Sequence, residues 1–162
     1  MKKIFKSIVY RVLKIFNITL KRTINAKSFN IPILGSLGVL NLLKQELWMI
    51  DLLKIIIQIK GNKFIDVGTN IVQTLLKIKS VKEDINYIGF EPNPSCVYYT
   101  NKLIRSNKLE NVSVFPFGIS TTTGQSPLNF YDDDEVDSSA SIIEGFRNTK
   151  VVKQEYIALF ED

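Results

Sequence analysis

The sequence contains no histidine and a single cysteine among its 162 residues. Histidine is the commonest general base and a frequent metal ligand, so its absence excludes hydrolases built on a Ser–His or Cys–His pair. The lone Cys96 cannot form an intramolecular disulfide, and no Cys and His cluster is available to hold zinc. We therefore expect no metal site, and we expect Cys96 to be a buried, unreactive thiol.

Acidic residues are missing from the first part of the chain. Residues 1–45 contain nine Lys or Arg and no Asp or Glu, whereas the remaining 117 residues hold 12 basic and 16 acidic side chains. The net charge of +5 therefore originates in the N-terminal segment and not in the chain as a whole. For this reason the sequence does not predict a nucleic-acid-binding protein.

Long uncharged hydrophobic runs are also absent. Residues 1–22 (MKKIFKSIVYRVLKIFNITLKR) alternate cations with apolar residues at near-helical spacing, and the charges leave no stretch of the roughly 18 to 20 residues that a membrane-spanning helix needs. The small-residue cleavage site of a signal peptide is missing too. Two interpretations of the predicted amphipathic helix stay open. The helix packs on its own domain, or it lies on an anionic membrane surface. We expect the protein to be cytoplasmic, and in the second case it would be bound peripherally to the inner face of the membrane.

A second helix is predicted from Leu37 to Ile59, with a break before it at residues 30–32 and Gly35 and a stop at Gly61-Asn62. Trp48 within it is expected to belong to the core. We assign residues 1–60 to a helical N-terminal extension and residues 61–162 to a second domain.

From Lys63 the hydrophobic pattern changes to short buried strands that alternate with helices. Strands are predicted at 64–67, 87–90 and 112–115, and helices at 71–78 and 95–106. This order is typical of an α/β fold with a parallel, Rossmann-like sheet and crossover helices. After Gly118 the pattern predicts a strand at 128–131, an exposed acidic loop at 132–141, and a helix at 155–160. The acidic loop lacks the spacing of a calcium site and is expected to be solvated.

The residues that carry chemistry follow the first two strands of this sheet. Gly68 closes the first strand, and its missing Cβ would let a cofactor approach the backbone. Glu91 ends the second strand 23 positions later, the separation at which nucleotide folds hold ribose hydroxyls. A dinucleotide would need further glycines after Gly68, and Asp66 would repel its pyrophosphate. The pattern therefore favours S-adenosylmethionine, with its cationic sulfonium, over NAD.

Three strings in this region, FIDVGTNIVQTLLK, YIGFEPNP and NVSVFPFGIS, resemble the FkbM-type methyltransferases. Their D-V-G-A-N-x-G-like turn and F-E-P-x-P motif are matched within residues 63 to about 120, while the upstream helices fit loosely. The matching positions are Asp66, Val67, Gly68 and Asn70 in the turn, then Phe90, Glu91, Pro92 and Pro94. Thr69 replaces a frequent alanine, and Val72 stands where the family usually has glycine.

The resemblance implies a class I methyltransferase fold that uses S-adenosyl-L-methionine. Asp66, Gly68 and Asn70 would line the methionine end of the cofactor, and Glu91 would hold its ribose. Thr69 would also belong to the cofactor-binding residues. Asn93, Phe117 and Gly118 would lie near the adenine.

The methyl acceptor would be a small molecule or a glycan, modified on a hydroxyl. Neither the catalytic base nor the oligomeric state follows from the resemblance. The family's acidic D-x-E-G-like motif after the fourth strand is missing from the sequence. The resemblance thus implies a sheet that is incomplete at the C-terminus and a chain that aggregates or depends on a partner. Two alternatives stay open: a cofactor-binding remnant or scaffold without catalysis and, less favoured, a nicotinamide oxidoreductase.

Overall fold

The protein has an α/β fold built around a three-stranded parallel sheet. The computed structural model describes residues 17–35, 37–43, 46–132, 140–143 and 145–161. Strands β3 (Lys63–Val67), β4 (Asn86–Phe90) and β5 (Val112–Phe115) pair in the order β3-β4-β5, all in parallel register. The three predicted strands and their Rossmann-like arrangement are thus confirmed.

The two crossover helices lie between these strands as the sequence predicts, with shifted ends. Helix α3 spans Gln73–Val81 and helix α4 spans Pro94–Asn107. Each strand lies beside the preceding one on the same side, and crossover connections between parallel strands are right-handed. Both helices therefore pack on the same face of the sheet. Within α4, Tyr99 is fully buried whereas Tyr98 is mostly exposed, so only Tyr99 packs in the core. Cys96 is buried, as expected.

The described part of the N-terminal extension begins with an antiparallel hairpin, which corrects the helix predicted over residues 1–22 at positions 18–22. Strand β1 (Ile18–Ile24) pairs with β2 (Lys27–Ile33), while residues 1–16 lie outside the described part of the chain. The expected break at 30–32 is also wrong, since these residues belong to β2. Phe29, Ile31 and Ile33 of β2 are buried, β2 packs against α4, and its pairing with β1 makes the segment a strand.

Two helices follow the hairpin where the sequence predicts one. Helix α1 covers Val39–Leu43 and helix α2 covers Leu47–Lys60, which ends before Gly61 as expected. Trp48 is 65% exposed, so its assignment to the core is wrong. The residues of α2 that face the core are Ile50, Leu53 and Ile57.

A second, mixed sheet follows the parallel one. Its strands β6 (Gly118–Ser120), β7 (Gly124–Phe130) and β8 (Lys153–Glu161) are ordered β6-β8-β7. The predicted helix at 155–160 is wrong because this segment forms β8, in which Ile157 and Leu159 are buried on one face. The predicted acidic loop lies mainly in residues 133–139, outside the described part of the chain.

One hydrophobic core joins the hairpin, helices α1 to α4 and the inner face of the parallel sheet. The proposed boundary at residues 60 and 61 stays a prediction. The outer face of the sheet is different, because Ile65, Val67 and Phe115 on it are exposed. Across the described residues, no helix combines the length and apolarity needed to cross a membrane.

Candidate functional site

The candidate site begins at the turn after β3, which has an unusual backbone path. The carbonyl of Phe90 accepts hydrogen bonds from the amides of Gly68 and Thr69, at 2.9 and 3.2 Å. Gly68 adopts a φ of 76°, and a Cβ added there would meet no atom within 4 Å. Glycine is therefore required by the backbone conformation, and the space beside it is open to a ligand.

Glu91 connects this turn to the one that follows β4. Its Oε2 accepts from the amide of Asn70 at 2.6 Å, and its Oε1 accepts from the amide of Asn93 at 2.8 Å. Each carboxylate oxygen has a second lone pair, so both oxygens can still accept from a ligand. The side chain of Asn93 caps α4 by accepting from the amide of Ser95 at 3.0 Å.

Burial shapes the electrostatics of the two carboxyl groups at this edge of the sheet. Burial raises the pKa of Glu91 above its ordinary value, against the opposing effect of the two amide hydrogen bonds. Burial likewise raises the pKa of Asp66, although the hydroxyl of Tyr87 donates to its Oδ2 at 2.5 Å and favours the ionised form. The same burial, with the nearby Asp66 charge, raises the pKa of Tyr87 and keeps its phenol protonated.

The turn after β3 and the turn after β4 enclose a cavity of about 130 Å³. This volume is smaller than the roughly 300 to 1,000 Å³ of drug-sized ligand pockets, so it accommodates only part of a nucleoside cofactor. The lining residues are Gly68, Asn70, Glu91, Pro92, Asn93, Leu128 and Ala140. Four of the eight predicted site residues thus meet around one cavity.

The other four predicted residues lie outside this lining. Asp66 lies on β3 and accepts a hydrogen bond from the hydroxyl of Tyr87 on β4. Thr69 is buried, and its Oγ1 finds no hydrogen-bond partner among the described residues. Phe117 packs in a cluster of aromatic rings, 4.3 Å from Phe160 between ring centroids. Gly118 begins β6, and a Cβ there would come within 2.9 Å of Leu159. The glycine at position 118 thus allows close packing between β6 and β8.

Sequence reasoning missed several residues that shape the site. Gly89 allows close packing, since a Cβ there would lie 2.6 Å from the Thr69 side chain. Asn41 of α1 donates through Nδ2 to the carbonyl of Ile71 at 2.8 Å and thereby ties the N-terminal extension to the segment between β3 and α3. No local pattern marks Asn41, because its partner lies 30 positions away. Leu128 and Ala140 reach the cavity from the second sheet and its loop.

Val72 occupies a strained position immediately before α3. Its φ of 55° and ψ of 39° lie in the left-handed region, which valine rarely adopts. This backbone conformation explains physically why a glycine would suit the position. The side chain is fully buried in the core and does not line the cavity between the two turns.

Comparison with solved structures yields only weak likeness. No known protein-family profile matches the sequence, and no curated protein matches it. The solved structure of a "putative caffeoyl-CoA O-methyltransferase from Staphylococcus aureus" is 22% identical, with a TM-score of 0.39. The match covers 44% of this chain and 35% of that protein's length. A likeness of this size carries no argument about function, which must come from the site itself.

Proposed function

We propose that this protein binds S-adenosyl-L-methionine at the edge formed by β3 and β4, and that it belongs to the FkbM-type methyltransferases. The observation that carries the proposal is the Glu91 carboxylate, which bridges both turns and keeps a lone pair on each oxygen. Ribose hydroxyls are donors that suit these two acceptors. The open space beside Gly68 also supports it.

Asp66 favours this cofactor over a dinucleotide. Asp66 lies in β3, two residues before Gly68. A carboxylate this close to the turn repels a pyrophosphate, whereas it attracts the sulfonium and amino groups of S-adenosylmethionine. The turn also has a single glycine, at position 68, where a dinucleotide site needs three. Gly68, Asn70 and Thr69 are proposed for the methionine end, and Asn93, Phe117 and Gly118 for the adenine side.

The proposed reaction is transfer of the methyl group from the sulfonium to a hydroxyl oxygen of a sugar or a specialised metabolite. Holding donor and acceptor together in line is the main source of rate in such a transfer. This acceptor class rests on the resemblance to the FkbM-type proteins alone. A cofactor-binding protein without turnover is the second candidate, and release of S-adenosylhomocysteine from S-adenosylmethionine distinguishes the two.

Calorimetry with S-adenosylhomocysteine tests the proposed cofactor. We expect wild-type protein to bind it and to bind NAD more weakly. Glu91→Gln should weaken binding by about 1.5 to 3 kcal/mol, because an acceptor for a ribose hydroxyl is replaced by a donor.

The matched control is Glu110→Gln, which makes the same change at an exposed site. Circular dichroism must show that Glu91→Gln is folded, since Glu91 also joins the two turns. Equal affinity of Glu91→Gln and wild type for S-adenosylhomocysteine would refute the ribose assignment. Tighter binding of NAD than of S-adenosylhomocysteine would refute the methyltransferase proposal.

A further inference from the structure

The hydroxyl of Tyr87 is held against the Asp66 carboxylate at the parallel sheet. It donates to Asp66 Oδ2 at 2.5 Å, although the two residues are 21 positions apart in the chain. In the parallel register of β3 and β4, Asp66 lies beside Gly89, which is two residues beyond Tyr87. The tyrosine ring therefore runs along the sheet toward the carboxyl ends of the strands, where the candidate site lies.

Neighbouring side chains fix the position of this ring. Tyr87 is 1% exposed, and the ring of Phe64, its direct partner in the ladder, lies nearly parallel to it at 6.2 Å between centroids. Gly89 gives the ring room, because a Cβ there would lie 3.0 Å from Tyr87 Cε1. The packing of the ring thus holds the hydroxyl at Asp66 before any ligand binds.

The hydrogen bond leaves half of the Asp66 carboxylate available. Its Oδ1 accepts no hydrogen bond from the residues that the structure describes, and it is not sealed from solvent. Burial raises the pKa of Asp66, whereas the hydrogen bond from Tyr87 favours the ionised form. The Asp66 charge in turn raises the pKa of Glu91, so it is felt at the proposed ribose site.

We propose that Tyr87 is a positioning residue, whose hydroxyl orients the Asp66 carboxylate so that the site favours the cationic sulfonium of S-adenosylmethionine over the neutral sulfur of S-adenosylhomocysteine. This inference rests on the proposed function and adds to it a residue that helps the site to distinguish the two forms of the cofactor. The two ligands share their adenosine, amino and carboxylate groups. Only the charge on sulfur differs, and a fixed carboxylate in a poorly solvated site responds to that charge.

A role of Tyr87 in packing alone would have a different consequence. Disturbed packing changes the affinity for both ligands by the same factor, because it acts on the groups that they share. The informative quantity is therefore the selectivity ratio, defined as the dissociation constant of S-adenosylhomocysteine divided by that of S-adenosylmethionine.

Calorimetry with both ligands on the full chain measures the selectivity ratio. Tyr87→Phe removes the hydroxyl and keeps the ring beside Phe64. We expect the ratio to fall at least about threefold, as the loss of one hydrogen bond to the carboxylate implies. Tyr99→Phe is the matched control, since Tyr99 is also fully buried and its hydroxyl accepts from Asn41 at 3.0 Å. This control should keep the wild-type ratio.

A second variant tests whether the hydroxyl acts through the carboxylate. Asp66→Asn removes the charge and keeps an oxygen that can accept from Tyr87. The selectivity ratio should fall at least as far as in Tyr87→Phe, and adding Tyr87→Phe to Asp66→Asn should lower it no further.

The pH dependence of the ratio gives a readout that packing alone would not move. Below about pH 7 the amino groups of both ligands stay protonated, and the ratio should fall as Asp66 takes up a proton. In Tyr87→Phe this fall should begin at higher pH, because losing the hydrogen bond raises the pKa of Asp66. Glu91 also titrates, but its proposed contact is with the ribose that both ligands share.

The outcomes separate this inference from the proposed function. If both ligands bind and folded Tyr87→Phe keeps the wild-type ratio, the positioning role is wrong and the proposed cofactor stands. An unaltered ratio in Asp66→Asn would overturn the role as well, even if circular dichroism shows that Tyr87→Phe does not fold. A further fall on adding Tyr87→Phe to Asp66→Asn would mean that the hydroxyl acts independently of the carboxylate. If wild-type protein binds neither ligand, the proposed function itself fails and this inference fails with it.

Discussion

At the residue scale, the positive φ of Val72 reveals backbone strain that the sequence alone does not show. A β-branched residue in the left-handed region costs roughly 1 to 2 kcal/mol. Val72 keeps this conformation because its side chain is fully buried in the shared core. The strain thus lies directly beside the turn that holds the proposed cofactor.

This conformation predicts an unusual order of stability among variants of Val72. Both Val72→Ala and Val72→Gly lose the buried isopropyl group, but only glycine relieves the positive φ. We expect Val72→Gly to be more stable than Val72→Ala by about 1 kcal/mol, the reverse of the usual preference near helices. Urea denaturation measures the difference. A more stable alanine variant would show that Val72 does not adopt the left-handed conformation in solution.

Glu91 illustrates at the same scale what chain spacing alone can indicate. Because it is an acid that follows the next predicted strand, 23 positions after Gly68, the sequence predicts a ribose-binding carboxylate at the edge of the sheet. Its bridging hydrogen bonds to the amides of Asn70 and Asn93 depend on how the two turns approach each other. The carboxylate therefore stabilises the site that it is proposed to serve, which is why the calorimetric test needs a folding control.

At the element scale, the buried Lys79 joins three segments. It lies on α3, and its Nζ donates to the carbonyls of Glu83, Ile85 and Glu110 at 2.8, 2.8 and 2.6 Å. The side chain is 1% exposed, and its burial lowers its pKa. All three donors of the ammonium group are therefore used. The turn before β4 and the loop before β5 are held to the end of α3.

Replacing this lysine should destabilise the whole fold. Lys79→Met keeps the aliphatic part of the side chain but leaves three carbonyls without their donor. We expect the free energy of unfolding to fall by at least about 2 kcal/mol. Lys102→Met, an exposed position on α4, serves as the control and should change it little. Equal stability of the two variants in urea would mean that water replaces the ammonium group at no cost.

At the scale of the whole molecule, the parallel sheet is covered on one face only. The outer face combines Ile65 and Val67 of β3 with Phe115 of β5, and all three are exposed. Parallel sheets are normally covered on both faces. In addition, the outer edge of β3 has no strand partner within the described residues. Such a face and edge favour association.

We therefore expect wild-type protein to scatter light on warming. Val67→Lys should reduce the scattering, because a charge on this face opposes apolar and edge-to-edge contact. Tyr98→Lys introduces the same charge at an equally exposed site on α4 and should leave it unchanged. A sharp, reversible thermal transition of a monomeric wild-type protein would contradict the prediction.

The sequence by itself determined the parallel sheet and the two turns at its edge. Strands β3 to β5 are short apolar runs separated by helical periods, so their local pattern is unambiguous. Parallel strands align their carboxyl ends, which brings Gly68 and Glu91 to one edge whatever the remaining packing. The fold class and the meeting of four of the predicted site residues follow from these local signals.

Tertiary structure decided the rest. Ile18–Ile24 and Lys153–Glu161 carry short apolar alternations that fit a strand or a helix equally well until a partner strand is present. The exposure of Trp48 and the hydrogen bond from Asn41 to Ile71 depend on which side of each helix meets the core. These features come from contacts between residues far apart in the chain, and no local sequence pattern encodes such contacts.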